Sequence, residues 1–174
     1  MRILFHKLSD DRHGLEIVRD DGRRERIECE TRSFLHHDLV HYALETEASL
    51  EGGFWGSVAR GRALASANGR VETESPYDTP EMLLVERIVG ALSTGLAKDG
   101  APAEIAARLR AYEVALGNEP PWLTAGLIAA VRERMRRLGG QWKATPFGGT
   151  LELPWPAQRP VHSDGPPDGP TAGT

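Results

Sequence analysis

The sequence holds a single cysteine, Cys29, among 174 residues. A lone thiol makes neither an intrachain disulfide nor a cysteine-rich zinc cage, so neither braces this fold. Cys29 also stands between Glu28 and Glu30, whose negative charge disfavours a thiolate and argues against a reactive nucleophile. Long apolar runs are missing too. The opening "ILF" meets His6, Lys7 and Asp10, too soon for a secretory signal core or a membrane span. The chain is therefore expected to be soluble and cytoplasmic. Lysine is confined to Lys7, Lys98 and Lys143, and the net charge is −4. That balance favours neither nucleic acid nor an anionic membrane as a partner. No Gly-x-Ser-x-Gly nucleophile elbow is present. The glycine-rich "GGFWGSVARG" lacks both a preceding strand and the Gly-Lys-Ser/Thr ending of a phosphate loop. It reads instead as a helix junction whose glycines let Phe54 and Trp55 pack closely. "RERMRR", residues 132 to 137, could contact phosphate, but it falls near a helix C-terminus, where cations suit the dipole anyway.

What is present describes an ordinary globular chain. Hydrophobic residues make up 40% and charged residues 26%, a balance that suits one domain with a real core. The first thirty residues predict strands in "RILFHKL", "GLEIVRD" and "RRERIECE". Asp21-Gly22 lies between the last two, and Asp-Gly tolerates the positive φ of a tight hairpin turn. A three-stranded antiparallel meander results. Thr31 or Ser33 then caps a helix running to about Leu50, which "EGG" at 51 to 53 stops. A helical stretch from Phe54 is weakened by Gly56 and Gly61, and residues 68 to 78 read as a loop. Thr79-Pro80-Glu81 opens a helix whose Met82, Val85, Ile88, Val89, Leu92 and Leu96 recur at helical spacing. Pro102 opens another, ending at Gly117-Asn118, and Pro121 a third, ending at Gly139-Gly140. "QWKATPFGGTLELPW" returns to strand character around a turn at Pro146 to Gly149.

Beyond Leu153 the chain turns rich in Pro and Gly and loses periodicity, which predicts a disordered tail over 154–174. The expected fold is α+β over residues 1–153. It comprises an N-terminal antiparallel meander, about five helices, and a C-terminal β-hairpin joining or covering the sheet.

The chemistry-bearing stretch is "HHDLVHYALE", His36 to Glu45. His37 and His41 are four residues apart, so on a helix both imidazoles project from one face and can meet one zinc ion. With Asp38 between them, His37-Asp38-Leu39-Val40-His41 resembles the His-Glu-x-x-His of the zincin metalloproteins, Asp replacing Glu. The resemblance spans five residues. It implies zinc on His37 and His41, with Asp38 where those proteins hold their general base. His-Asp-x-x-His is also similar to the metal motif of an accessory-protein family in ubiquinone biosynthesis. That family sets an acidic ligand twelve residues beyond the second His, where this chain has Gly53.

Glu45 is the first candidate for a third ligand, since His37, His41 and Glu45 line one helical stripe. Eight residues of helix nevertheless separate the outer Cα atoms by about 12 Å, so a third ligand is also sought in Glu51, Glu72, Glu74, Glu86 and His6. The competing reading is a solvated face. Leu35, Leu39, Ala43 and Leu50 fall on the opposite side of the same helix, which would leave the polar stripe in water. Two functional classes stand open. One is a metal-dependent, hydrolytic protein with zinc on His37, His41 and Glu45 and with Asp38 as base or orienting group. The other is a non-catalytic intracellular interaction domain that has a protein partner and no metal.

Overall fold

The computed structural model describes residues 1–64, 79–94 and 100–156. The expected loop at 68–78, with Glu72 and Glu74, and the tail from residue 157 lie outside the described residues. Strand β1 (Arg2–Lys7) pairs antiparallel with β2 (Arg12–Val18), which pairs with β3 (Arg24–Glu30). This is the meander expected from the alternating sequence, with Gly22 in the hairpin turn at φ 86°, the left-handed region that suits glycine. The last strand, β4 (Thr150–Pro154), adds to the free edge of β1 and gives the order β3-β2-β1-β4.

One turn of π-helix, Thr31–Leu35, leads into α1 (His36–Ala48). It is followed by α2 (Phe54–Ala59), α3 (Pro80–Ser93), α4 (Pro102–Ala115) and α5 (Ala125–Ala144). The α+β architecture, with its N-terminal strands, these five helices among the described residues and a C-terminal strand joining the sheet, matches the sequence pattern. Thr79 caps α3 as expected, its hydroxyl accepting from the Met82 amide at 3.1 Å.

Helix α1 lies between two apolar clusters. Towards the sheet, Leu35, Leu39 and Tyr42 meet Ile3, Phe5, Leu15, Ile17, Leu151 and Leu153. On the other side, Val40, Ala43 and Leu44 meet Val85, Ile88 and Val89 of α3, Ile105 of α4 and Ile128 and Val131 of α5. A helix covered on two sides keeps little of its surface wet. Every residue from Asp38 to Thr46 is buried. The solvated stripe survives only at His37, which stays partly exposed, while His41 and Glu45 are buried: amphipathicity counted from one apolar face missed the second layer that covers the other.

Other expectations are corrected as well. Neither Thr31 nor Ser33 caps α1: Thr31 Oγ1 meets His13, and Ser33 bonds to Glu30. Thr124, not Pro121, opens the last helix, its hydroxyl accepting from the Leu127 amide at 3.1 Å. That helix runs through Gly139-Gly140 to Ala144. Leu138 packs in the core, and the Lys7 ammonium binds the carbonyls of Trp142 and Thr145, so tertiary contacts offset the cost of two glycines. The first arm of the expected hairpin is thus helical, and only its second arm is a strand. The packed chain continues past Leu153, since Trp155 is buried and the Tyr42 hydroxyl donates to the Pro154 carbonyl at 3.1 Å. No helix among the described residues is long and apolar enough to cross a membrane.

Candidate metal centre

Helix α1 presents His37 and His41 one turn apart, with ring centroids 4.7 Å from each other. Helix α3 packs alongside because Val85, Ile88 and Val89 bury against α1. That packing carries Glu86, on the flank of the apolar stripe, to the two imidazoles. His41 Nε2 lies 3.3 Å from Glu86 Oε2, and His37 Nε2 lies 4.0 Å from the same oxygen. His37, His41 and Glu86 offer ligand atoms that all fall within 4.8 Å of one another. Two atoms bound to one tetrahedral zinc at about 2.0–2.1 Å stand about 3.3 Å apart. The closer pair already has that spacing. The other two pairs, within 4.8 Å, both involve His37, whose side chain is 38% exposed and has room to adjust.

Behind the two rings stand two more carboxylates. His41 Nδ1 is 3.0 Å from Glu45 Oε1, and His37 Nδ1 is 3.9 Å from Asp38 Oδ1. Both imidazoles therefore turn Nε2 towards Glu86 and Nδ1 towards a carboxylate. At His41 this is the arrangement by which an outer carboxylate fixes the tautomer and aim of a metal-ligating histidine, whereas Asp38 stands near His37 beyond hydrogen-bond distance. His41 Nε2 is buried without a hydrogen-bond partner among the described residues, since the Glu86 approach lacks hydrogen-bond geometry. A buried polar atom left in that state costs about 1–3 kcal/mol, and a metal ion would satisfy it.

Glu45 does not join the ligand cluster. Its second oxygen accepts from the backbone N–H groups of Trp55 (2.9 Å) and Gly56 (3.3 Å), at the start of α2. A Cβ on Gly53 would fall 2.3 Å from the Glu45 Cδ atom, so the carboxylate needs glycine there to reach those amides. The group within ligand distance of the two histidines is completed by Glu86 from a different helix, not by the expected Glu45. Asp38 is 3% exposed and sits on the Nδ1 side of His37, which suits an orienting group better than a base at a solvent-facing metal. Of the other candidates, Glu51 is exposed beyond α1. His6 is held on the sheet by Glu16 and Thr150, each at 2.8 Å. Arg134, Arg136 and Arg137 of "RERMRR" are occupied by Glu47 and Glu133.

The charges in this cluster act on one another. Burial works against an imidazolium at His41, yet the Glu45 hydrogen bond and the nearby charges of Glu45 and Glu86 outweigh it and lift the group to about 9. Burial pushes the Glu45 carboxyl up, against the pull of the His41 ring and the α2 amides. At Glu86 burial likewise favours the neutral form. His41, His37 and Arg62 prevail and hold it below the usual carboxylate range. Without metal, His41 thus carries a proton at neutral pH, and a cation bound on Nε2 must displace it.

Glu86 is the site residue that helical counting undervalued. Its signal was its place between Val85 and Ile88, on the edge of the buried stripe of α3. No family model, curated protein or solved structure matches this chain.

Proposed function

We propose that this protein binds a divalent metal, zinc, on His37 Nε2, His41 Nε2 and Glu86 Oε2, and uses it for hydrolysis. One observation carries the reading. Each of the two imidazoles turns Nε2 to the same glutamate oxygen and keeps Nδ1 against a carboxylate of its own. Three protein ligands of N,N,O type leave a fourth position, as catalytic zinc sites do and closed structural sites do not. The partly exposed His37 and Glu86 put that position on the solvent side. Zinc bound there would supply Lewis acidity at neutral pH. Glu45 orients His41, and Asp38 orients His37. Two histidines and one carboxylate also serve iron(II), and metal analysis separates the two.

The test is elemental analysis of tag-free protein after zinc loading and desalting. About one zinc per chain is expected, and the His37→Ala/His41→Ala double variant should retain none. Chelator-sensitive hydrolysis of a panel of carboxylic and phosphoric esters should follow the metal content. A wild-type protein that leaves the column metal-free would overturn the reading.

A further inference from the structure

We propose that β3 is the docking edge for a second copy of this chain, whose own β3 adds antiparallel to it about a twofold axis at Ile27. The sheet runs β3-β2-β1-β4, so β3 is an outer strand. Among the described residues no strand pairs with its far side. Two backbone bonds show which of its peptide groups point there. The Arg19 amide donates to the Arg23 carbonyl at 2.9 Å just before β3, and the Thr31 amide donates to the Asp11 carbonyl at 2.8 Å just after it. Opposed residues of an antiparallel ladder alternate between bonded and non-bonded pairs, so Glu25, Ile27 and Cys29 turn their peptide groups to β2. Arg24, Arg26, Glu28 and Glu30 turn theirs outward, and those same four residues are exposed.

A run of outward peptide groups is a template for another strand, and charges on an edge ordinarily guard it. Here the order of the charges admits one partner. With Ile27 opposite Ile27, Arg24 stands opposite Glu30 and Arg26 opposite Glu28, and the twofold axis repeats both pairs. Every outward residue of one copy then faces opposite charge on the other. Sliding the copies by two residues, the least that keeps outward groups paired, sets Arg26 against Arg26 or Glu28 against Glu28. Sliding further sets Arg24 against Arg26 or Glu28 against Glu30. Like charges directly opposite are destabilising, so β3 is complementary to itself in one register. The four charges also have contacts within their own chain. Arg24 meets Glu16 at 3.0 Å, Arg12 meets Glu28 at 3.1 Å, the Arg26 guanidinium lies over Gly14, and Ser33 bonds to Glu30. Arg24 and Glu28 nevertheless stay 61% and 58% exposed, which leaves them surface for a partner. Such a contact uses the same patch on both copies, as closed dimers do, and joins two four-stranded sheets into one.

The experiment is sedimentation velocity of the full chain over a range of concentrations. It compares wild type, Arg26→Glu, Glu28→Arg, the Arg26→Glu/Glu28→Arg double variant and an equimolar mixture of the two single variants. Wild type should approach twice the mass of one chain as concentration rises. Either single reversal sets like charges opposite in both copies of the pair formed by positions 26 and 28, and should weaken dimerisation about tenfold. The double reversal restores opposite signs there and should recover wild-type dimerisation to within about threefold. In the mixture each single variant supplies the charge that the other lacks, so the mixed dimer should form at concentrations where neither variant dimerises alone. Near-ultraviolet circular dichroism confirms that each variant is folded. Where one single variant does not fold, the other, compared with the double variant, still carries the test. A wild type that stays monomeric across the range, as an edge reserved for a strand of a different protein would leave it, would overturn the inference. So would dimers that persist equally in both single variants, or a mixture and a double variant that recover nothing.

Discussion

Two glutamates of this protein are almost equally buried, and they end differently. Glu113 on α4 closes on itself. Arg87 Nε and Nη2 meet its two oxygens at 2.9 and 2.7 Å, and the Asn118 amide adds a third bond at 2.9 Å. This is the bidentate fork that satisfies a buried carboxylate, and the chain of contacts stops there. Glu45 on α1 is as well bonded, to His41 and to two backbone amides. Its network instead continues through the His41 ring to Nε2, which ends without a hydrogen bond, facing Glu86 and His37. The buried Glu113 returns all its side-chain bonds to the protein, whereas the Glu45 network ends on a ring nitrogen beside Glu86 and His37, the ligand set proposed above.

Breaking the closed pair should have the largest effect on folding and none on metal. Arg87→Ala leaves Glu113 buried with only Asn118 as a side-chain partner. Removing one partner of a buried pair costs about 3–5 kcal/mol. Because Arg87 is one-third exposed, about 2–3 kcal/mol is expected here. Urea unfolding measures it, and zinc stoichiometry should stay at the wild-type value. If the metal is lost as well, the two regions are not independent.

The open network should show itself through pH. His41 is raised to about 9 in the folded chain, against about 6.5 when unfolded. Its contribution to the stability of the chelated, metal-free protein is fully present below about pH 6.5. It is lost as pH rises through about 9, because only the folded state holds the proton over that window. The decline is of the order of 2–3 kcal/mol. It should be absent in His41→Ala when unfolding is compared at pH 6 and pH 9.5. Zinc binding should run the other way and tighten with rising pH, since each ion displaces the His41 proton. Equal slopes in wild type and His41→Ala would mean that His41 is not the titrating group.

The smallest effect on stability should come from the ligand that faces solvent. His37→Ala should abolish stoichiometric zinc while moving the stability of the metal-free protein by no more than about 0.5 kcal/mol, because that side chain is 38% exposed. His41→Ala should also lose zinc, yet cost about 1–3 kcal/mol by stranding a Glu45 oxygen in the core. The sharpest form of the comparison is thus between two histidines one turn apart.

Some of this was legible in the chain alone. Residues close in sequence dictate turns, caps and periodicity, so the meander around Asp21-Gly22, the Thr79-Pro80 helix start and the shared face of His37 and His41 could all be read from local spacing. Only the tertiary structure decided that α1 lies between a sheet and a helical layer, which buried His41 and Glu45 of an expected wet stripe and left His37 partly exposed. It also decided that the carboxylate beside the two histidines is Glu86, forty-five positions beyond His41 in the sequence, while Glu45 turns back to the α2 amides. The same holds at Gly139-Gly140, where a local stop signal yields to the packing of Leu138 and to the bonds from Lys7. The physical reason is common to all three. Helical and strand periods are properties of neighbouring residues, whereas burial and convergence on a site depend on which elements pack together, and local spacing carries little of that information.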